Sequence, residues 1–406
     1  MNSKAPKLKL VEKASPAEPS KPRAKDRPWA GDKPRPNNLK LKPLSEQVIV
    51  ITGATSGVGL ATARAAAARG ARLVLTARNE EALRAVQTDL SAKGVGVAFA
   101  VADVADRQAL QAVADLAIER FGGFDTWINN AGVSIFGGLT KTPIEDQRRL
   151  FETNYWGLVN GSLIAAEHLK SRPGGGALIN VGSALGDVGV PLQGAYSASK
   201  HAVKGFTQAL RLELMGQRAP VSVTLIKPSS LDTPYKDHAR NLTGMAVRNP
   251  PPVYGASLAA QAILHAAEHR VRELSVGGGG WALGVANAVA PFLTEPLLAL
   301  AAPALSRDTS GRRSALIDNL YAPDQDLRER SFQRAVRETS LYTSAQMRPG
   351  ATLTLAVIAG VAAGAVFRLG ARQGGRRDEG DLDPVSSAQD VFSRLGLKGF
   401  GARAAP

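Results

Sequence analysis

The stretch Tyr196-Ser197-Ala198-Ser199-Lys200 carries the most chemistry in this chain. On a helix, positions four apart share a face, so the phenol and the ammonium are neighbours. A free tyrosine has a pKa near ~10 and exchanges protons poorly at neutral pH. A lysine cation one turn away favours the phenolate and lowers that value. The pair can then pass a proton to or from an alcohol or carbonyl oxygen. Alone, the spacing also fits any exposed helix pair, so other parts of a site must accompany it.

A nucleotide-shaped loop lies upstream. Val48-Ile49-Val50-Ile51 is a continuous apolar run, as in a buried parallel strand. Thr52-Gly53-Ala54-Thr55-Ser56-Gly57-Val58-Gly59 follows, and then an Ala-rich stretch from Leu60 to Arg69, stopped by Gly70. Three glycines in such a turn permit a tight bend, backbone approach to a pyrophosphate, and close helix–strand packing. The helix N-terminus offers free N–H groups and partial positive charge to phosphates. No Gly-Lys-Ser/Thr follows, which argues against a nucleoside triphosphatase.

The second strand, Arg72 to Thr76, leads into Ala77-Arg78-Asn79, with no acid before Glu80. A site selecting NAD places an acidic residue there for the ribose 2′-hydroxyl. Arg78 suits a 2′-phosphate instead, so NADP(H) is expected over NAD(H). The alternative is that Arg78 simply opens the next helix in solvent.

These residues need a scaffold. Strands are expected at Val97–Val101, Thr126–Asn130, Ala177–Val181, Val221–Ile226 and Glu273–Val276. Helices are expected over Glu80–Lys93, Gln108–Phe121 and Tyr196–Met215. Strands alternating with helices predict an α/β fold with a doubly wound parallel sheet, Rossmann-like, covered on both faces. Gly277 to Gly280 reads as a turn after the last strand.

Taken in order, Thr52–Gly59, Asn129-Asn130-Ala131-Gly132, Asn154, Ser183 and Tyr196…Lys200 resemble the short-chain dehydrogenase/reductase family, in its single-domain NADP-preferring branch. The resemblance covers about residues 46–275. It implies that Tyr196 is the catalytic acid/base. Lys200 bonds the nicotinamide ribose, Ser183 holds and polarises the substrate oxygen, and Asn154 positions a relay water. Gly53, Ser56, Gly57, Val58 and Gly59 form the phosphate loop. Asp103, with Val104 beside it, contacts adenine, and Asn130-Ala131-Gly132 lines the adenosine ribose. Pro228 and Thr233 border the carboxamide. Where the family has Pro-Gly, this chain has Pro228-Ser229, which puts the local loop shape in doubt.

Composition bounds the rest. The 406 residues are 44% hydrophobic, which excludes a wholly disordered chain. The absence of cysteine excludes disulfides, zinc-thiolate sites and cysteine nucleophiles. Of the net charge of +15, +7 lies in residues 1–46, a Pro/Lys-rich leader expected to be disordered. That leader is either a solvated spacer or a tether to anionic lipid or nucleic acid. His265-Ala266-Ala267-Glu268-His269 has a metalloprotease-like spacing but no third ligand, so no metal is expected. A catalytic domain is expected over 47–275 and a helical extension over 276–348, with Leu316 to Ser344 helical in character. Trp281 to Leu305 reads as a substrate lid, a partner face or a membrane-dipping helix pair. Seventeen uncharged residues, Ala351 to Phe367, form a candidate membrane helix within 349–369, or else a packed helix; residues 370–406 read as a disordered tail.

The expected activity is hydride transfer between NADP(H) and a small-molecule carbonyl or secondary alcohol, with substrate contacts in 133–142, 187–194 and 229–252. The catalytic domain is expected in the cytoplasm, with membrane association through the C-terminal helix and no nucleic acid partner; a homo-oligomer is left open. The alternative is a non-catalytic dinucleotide sensor or scaffold.

Overall fold

A run that is apolar at every position suits a strand covered on both sides. The computed structural model describes residues 39–307, 318–323, 327–333 and 335–348. In it β1 (Val48–Thr52) is buried at all five positions. Alternate side chains go to opposite layers, as the strand period requires. Ile49 and Ile51 pack with Leu60 and Ala63 of α1 (Gly57–Ala68) and Leu83 of α2 (Glu80–Ser91). Val48 and Val50 pack with Leu110 and Val113 of α3 (Arg107–Phe121) on the other side.

Six more strands complete the sheet: β2 (Arg72–Ala77), β3 (Val97–Val101), β4 (Thr126–Asn129), β5 (Gly176–Val181), β6 (Val221–Pro228) and β7 (Glu273–Val276). Their order is β3-β2-β1-β4-β5-β6-β7, and every pairing is parallel. The order reverses between β1 and β4, so the loops after these strands diverge and leave a crevice at their carboxyl ends. This is the doubly wound sheet the sequence predicts.

Between β4 and β5 the chain forms α4 (Ile144–Phe151), a π-helical turn (Glu152–Trp156) and α5 (Gly157–Ser171), which the sequence pattern does not reveal. Glycine weakens helix propensity and hides the period. Here Gly157 and Gly161 are contact points: an added Cβ would lie 2.5 Å from Val104 and 2.2 Å from Asn129. Further on come α6 (Gly194–Gly216) and α7 (Ala256–Glu268).

Three expectations are corrected. Residues 39–46 belong to the domain rather than to the leader, because Leu39 and Leu44 are buried and Lys42 pairs with Asp125 at 2.8 Å. Only Gly277 forms the turn, at φ 87°, while Gly278–Gly280 begin α8 (Gly278–Val289). The cause is Ser229, the departure noted above. Its hydroxyl donates to the Gly277 carbonyl and accepts the Gly280 N–H, each at 3.0 Å. Trp281 to Leu305 resolves into α8 and α9 (Pro291–Ser306), divided at Pro291. Of the described residues from Asp318 to Ser344, only those in α10 (Leu341–Met347) are helical.

The candidate membrane helix, most of the leader and the tail lie outside the described residues. Among the described residues, no helix is long and apolar enough to cross a membrane.

Candidate active site

A cavity of about 750 Å³ opens at the crevice. Its wall contains Gly53, Ser56, Gly57, Val58, Arg78, Asp103, Val104, Asn130, Ala131, Ser183, Tyr196, Lys200, Pro228 and Thr233. Two expected residues, Gly59 and Asn154, stand behind the wall.

The glycine loop divides its labour physically. Gly53 and Gly57 adopt φ of 66° and 52°, a region that penalises a side chain. Asn130 fixes this bend, since its Nδ2 donates to the Thr52 carbonyl at 3.0 Å and the Gly53 carbonyl at 3.1 Å. Gly59 is a packing position: a Cβ there would fall 2.0 Å from the Gly53 oxygen. That obstacle is backbone, and the Asn130 amide nitrogen stands next at 2.6 Å, so Gly59→Ala must displace the loop. We expect it to cost at least ~1–3 kcal/mol of stability and to abolish dinucleotide binding. Thermal unfolding and cofactor titration of the variant check this.

Tyr196 and Lys200 lie in the first turns of α6, both buried. The lysine ammonium sits 5.6 Å from the tyrosine ring centroid and donates to the Val181 carbonyl at 3.0 Å. Ser183 follows β5, and its Oγ accepts the Leu185 N–H at 3.1 Å. Ser183 and Tyr235 lie beside the Tyr196 hydroxyl, and both favour its charged form.

The electrostatics depart from the sequence reading, which expects a lowered Tyr196 pKa. Burial raises Tyr196 above its ordinary 10.0, and the neighbouring Ser183 and Tyr235 hydroxyls only partly oppose it. Burial also lowers Lys200, from 10.5 to about 8, weakening the cation that was to help its neighbour. Between about 8 and 10.5 the unfolded chain therefore holds the lysine proton more tightly, and stability rises with pH across that window. The stability of the wild type relative to Lys200→Met should grow from the lower to the upper edge; a constant difference would place Lys200 at its ordinary value.

Asn154 lies on the π-helical turn, a feature frequent near functional sites. Its amide is engaged with Val133, accepting the N–H at 2.8 Å and donating to the carbonyl at 2.9 Å.

At the opposite end, Arg78 and Asp103 form a charged cluster with Arg149. Burial pushes Asp103 up, but the Ala105 N–H, Arg149 and Arg78 together hold it below the usual carboxylate value. Arg78 does not stand free in solvent. Its guanidinium donates to the carbonyls of Asn319, Leu320, Tyr321 and Ala322. These belong to a strap, residues 318–323 and 327–333, that crosses the site. The Arg328 carbonyl accepts the Gly57 N–H at 2.9 Å, at the N-terminus of α1. Leu320 is fully buried with Val133, Leu150 and Tyr196. Asp232 secures the far end, accepting from Arg330, Ser331 and Gln333.

The strap and the Tyr235 cluster were not foreseen. Tyr235 donates to Ser134 Oγ at 2.6 Å, accepts from Gln193 at 2.8 Å, and packs its ring 5.5 Å from that of Tyr196. All three of its neighbours are distant in sequence; the one local signal was an aromatic residue inside the 229–252 loop. The His265–His269 spacing serves structure, with the rings stacked at 4.1 Å and Glu268 paired to Arg69. Among the described residues, no cluster could hold a metal.

The residues present fit a dinucleotide. The loop is bare of Cβ where phosphates approach, no side chain caps α1, and Thr153 Oγ1 on the cavity wall is buried without a partner. Fold and site together define a dinucleotide-dependent α/β oxidoreductase. The family profile described as short chain dehydrogenase matches residues 47–242. The chain is 42% identical over 335 residues to a Bacillus subtilis protein named uncharacterized oxidoreductase YxnA, covering 81% of this chain and 93% of that one. A short-chain dehydrogenase/reductase from Burkholderia phymatum, solved in complex with NAD, superposes with a TM-score of 0.58 at 29% identity, over 62% of this chain and 96% of that one. An alcohol dehydrogenase from Thermococcus sibiricus, complexed with 5-hydroxy-NADP, gives 0.50 at 26%, over 56% and 95%. The chain belongs to the short-chain dehydrogenase/reductase family.

Proposed function

We propose that the protein is an NADP(H)-dependent oxidoreductase interconverting a carbonyl and a secondary alcohol. The observation that carries this reading is the convergence of Ser183, Tyr196 and Lys200 on one cavity with the glycine loop. The bound nicotinamide supplies or takes up the hydride. Tyr196 gives its proton to the oxygen as the carbonyl is reduced, and recovers it in the reverse direction. Ser183 donates a hydrogen bond to the same oxygen and stabilises the charge that develops there. Lys200 holds the ribose hydroxyls and, when protonated, pulls the Tyr196 pKa back down.

NADP(H) is favoured by Arg78 at the end of β2 and by the lack of an acid from Thr76 to Asn79. The solved relatives were captured one with NAD and one with an NADP derivative. A panel of ketones, aldehydes and secondary alcohols, assayed with NADPH, NADP⁺ and their NAD counterparts, tests the proposal. Turnover favouring the phosphorylated cofactor is expected. Cofactor binding with no turnover across the panel would favour a dinucleotide sensor instead.

A further inference from the structure

The helix pair α8–α9 is built unlike the rest of the surface. Residues 278–306 carry a single charged side chain, Glu295. Only Gly284 is buried in α8, and no residue of α9 is. Val289 is 77% exposed, Phe292 73%, Leu293 63% and Leu300 81%. An apolar surface this continuous marks an interaction face.

The opposite side of the same pair walls the catalytic cavity, through Leu283, Leu298, Ala301 and Leu305. Leu297 does both: it lines the cavity and is 64% exposed. The rim between cavity and exterior is therefore apolar, while the polar groups Ser183 and Tyr196 lie on the cavity's own wall. A ligand that satisfies both surfaces has an oxygenated head and a long apolar tail.

We infer that the substrate is a long-chain, lipid-like carbonyl or secondary alcohol, and that it enters from a bilayer surface on which α8–α9 rests. The substrate half rests on the redox reading above. The pair lies on the bilayer rather than across it. Twelve and sixteen residues span roughly 18 and 24 Å, short of the ~30 Å hydrocarbon core. The bilayer is favoured over other occupants by what adjoins the pair. Tyr342 of α10 packs its ring against Trp281 with centroids 4.8 Å apart, so α10, which ends at Met347, lies against α8. From there the chain enters the uncharged stretch 351–367, flanked by Arg368 and Arg372. Arg348, Arg368 and Arg372 give this end of the sequence the positive charge that anionic head groups attract.

The test uses the full chain. Co-sedimentation with phosphatidylcholine–phosphatidylglycerol vesicles should capture the wild type. Phe292→Glu/Leu300→Glu should weaken capture at least about tenfold, because two buried apolar side chains are lost. Both positions are exposed and off the cavity wall; Val289→Glu/Leu293→Glu provides an independent second variant. No capture of the wild type, or equal capture of both double variants, overturns the bilayer contact. So does a detergent-free dimer that the variants dissolve, which would assign the face to a second copy. In parallel, calorimetry on the NADPH-loaded Tyr196→Phe protein compares the methyl ketones dodecanone and butanone. At least about a hundredfold tighter binding of dodecanone is expected; equal binding, or none, overturns the substrate class. Failure of NADPH itself to bind would instead sink the redox reading, so the two failures are distinguishable.

Discussion

Tyr196→Phe is expected to lower kcat by about 10²–10⁴ while leaving NADPH affinity unchanged. The substitution is unusually clean here. The Tyr196 ring packs with Val133, Ile135, Leu150 and Leu320, and phenylalanine keeps those contacts. What disappears is the hydroxyl beside Ser183 and Tyr235. Removing a hydroxyl whose charged form burial already disfavours leaves no buried charge behind, so the fold has little to lose. Turnover therefore separates from stability. Steady-state NADPH consumption, set beside NADPH titration and the thermal midpoint, reads all three. Wild-type turnover in the variant would remove Tyr196 as the proton donor and leave the chemistry to Ser183 or Tyr235.

Tyr196 also shows what a sequence can and cannot disclose. Its pairing with Lys200 is local, fixed by the helical repeat, and the structure places both on the cavity wall. The glycine loop is legible for the same reason: Gly53, Gly57 and Gly59 act within one turn. Asn130 was readable through its short motif, although its bonds to Thr52 and Gly53 cross 78 and 77 positions. The pKa directions were not legible, because burial is a property of the assembled cavity and outweighs a neighbour one turn away. Ser229 looked like a local defect in a Pro-Gly turn. It is a cap for α8, 51 positions on, and neither element announces the other. The strap lay furthest from view. Its stretch reads as helical in the sequence, yet its backbone groups bond side chains and turns of the domain.

The strap bears most directly on Arg78→Ala, which is expected to weaken NADPH binding by about 10–100-fold, the equivalent of one to two charge-assisted bonds, and to leave NADH binding unchanged. At first sight the structure speaks against this, since four carbonyls already face the guanidinium. Carbonyls offer only dipoles, however, and the one formal counter-charge among Arg78's electrostatic influences is Asp103, itself paired with Arg149. Burial disfavours the Arg78 cation, and Arg149 adds to the cost. A phosphate dianion would meet this cation with full charge and bidentate geometry, an exchange that favours phosphate over neutral carbonyls. NADH brings no 2′-phosphate and makes no such exchange at Arg78. The two cofactors should therefore diverge in the variant. If Arg78 serves only as the strap's anchor, its loss will instead lower the thermal midpoint and shift NADH and NADPH binding equally. Parallel fluorescence titrations with both cofactors separate the outcomes, and an unchanged NADPH/NADH ratio would withdraw Arg78 from cofactor choice.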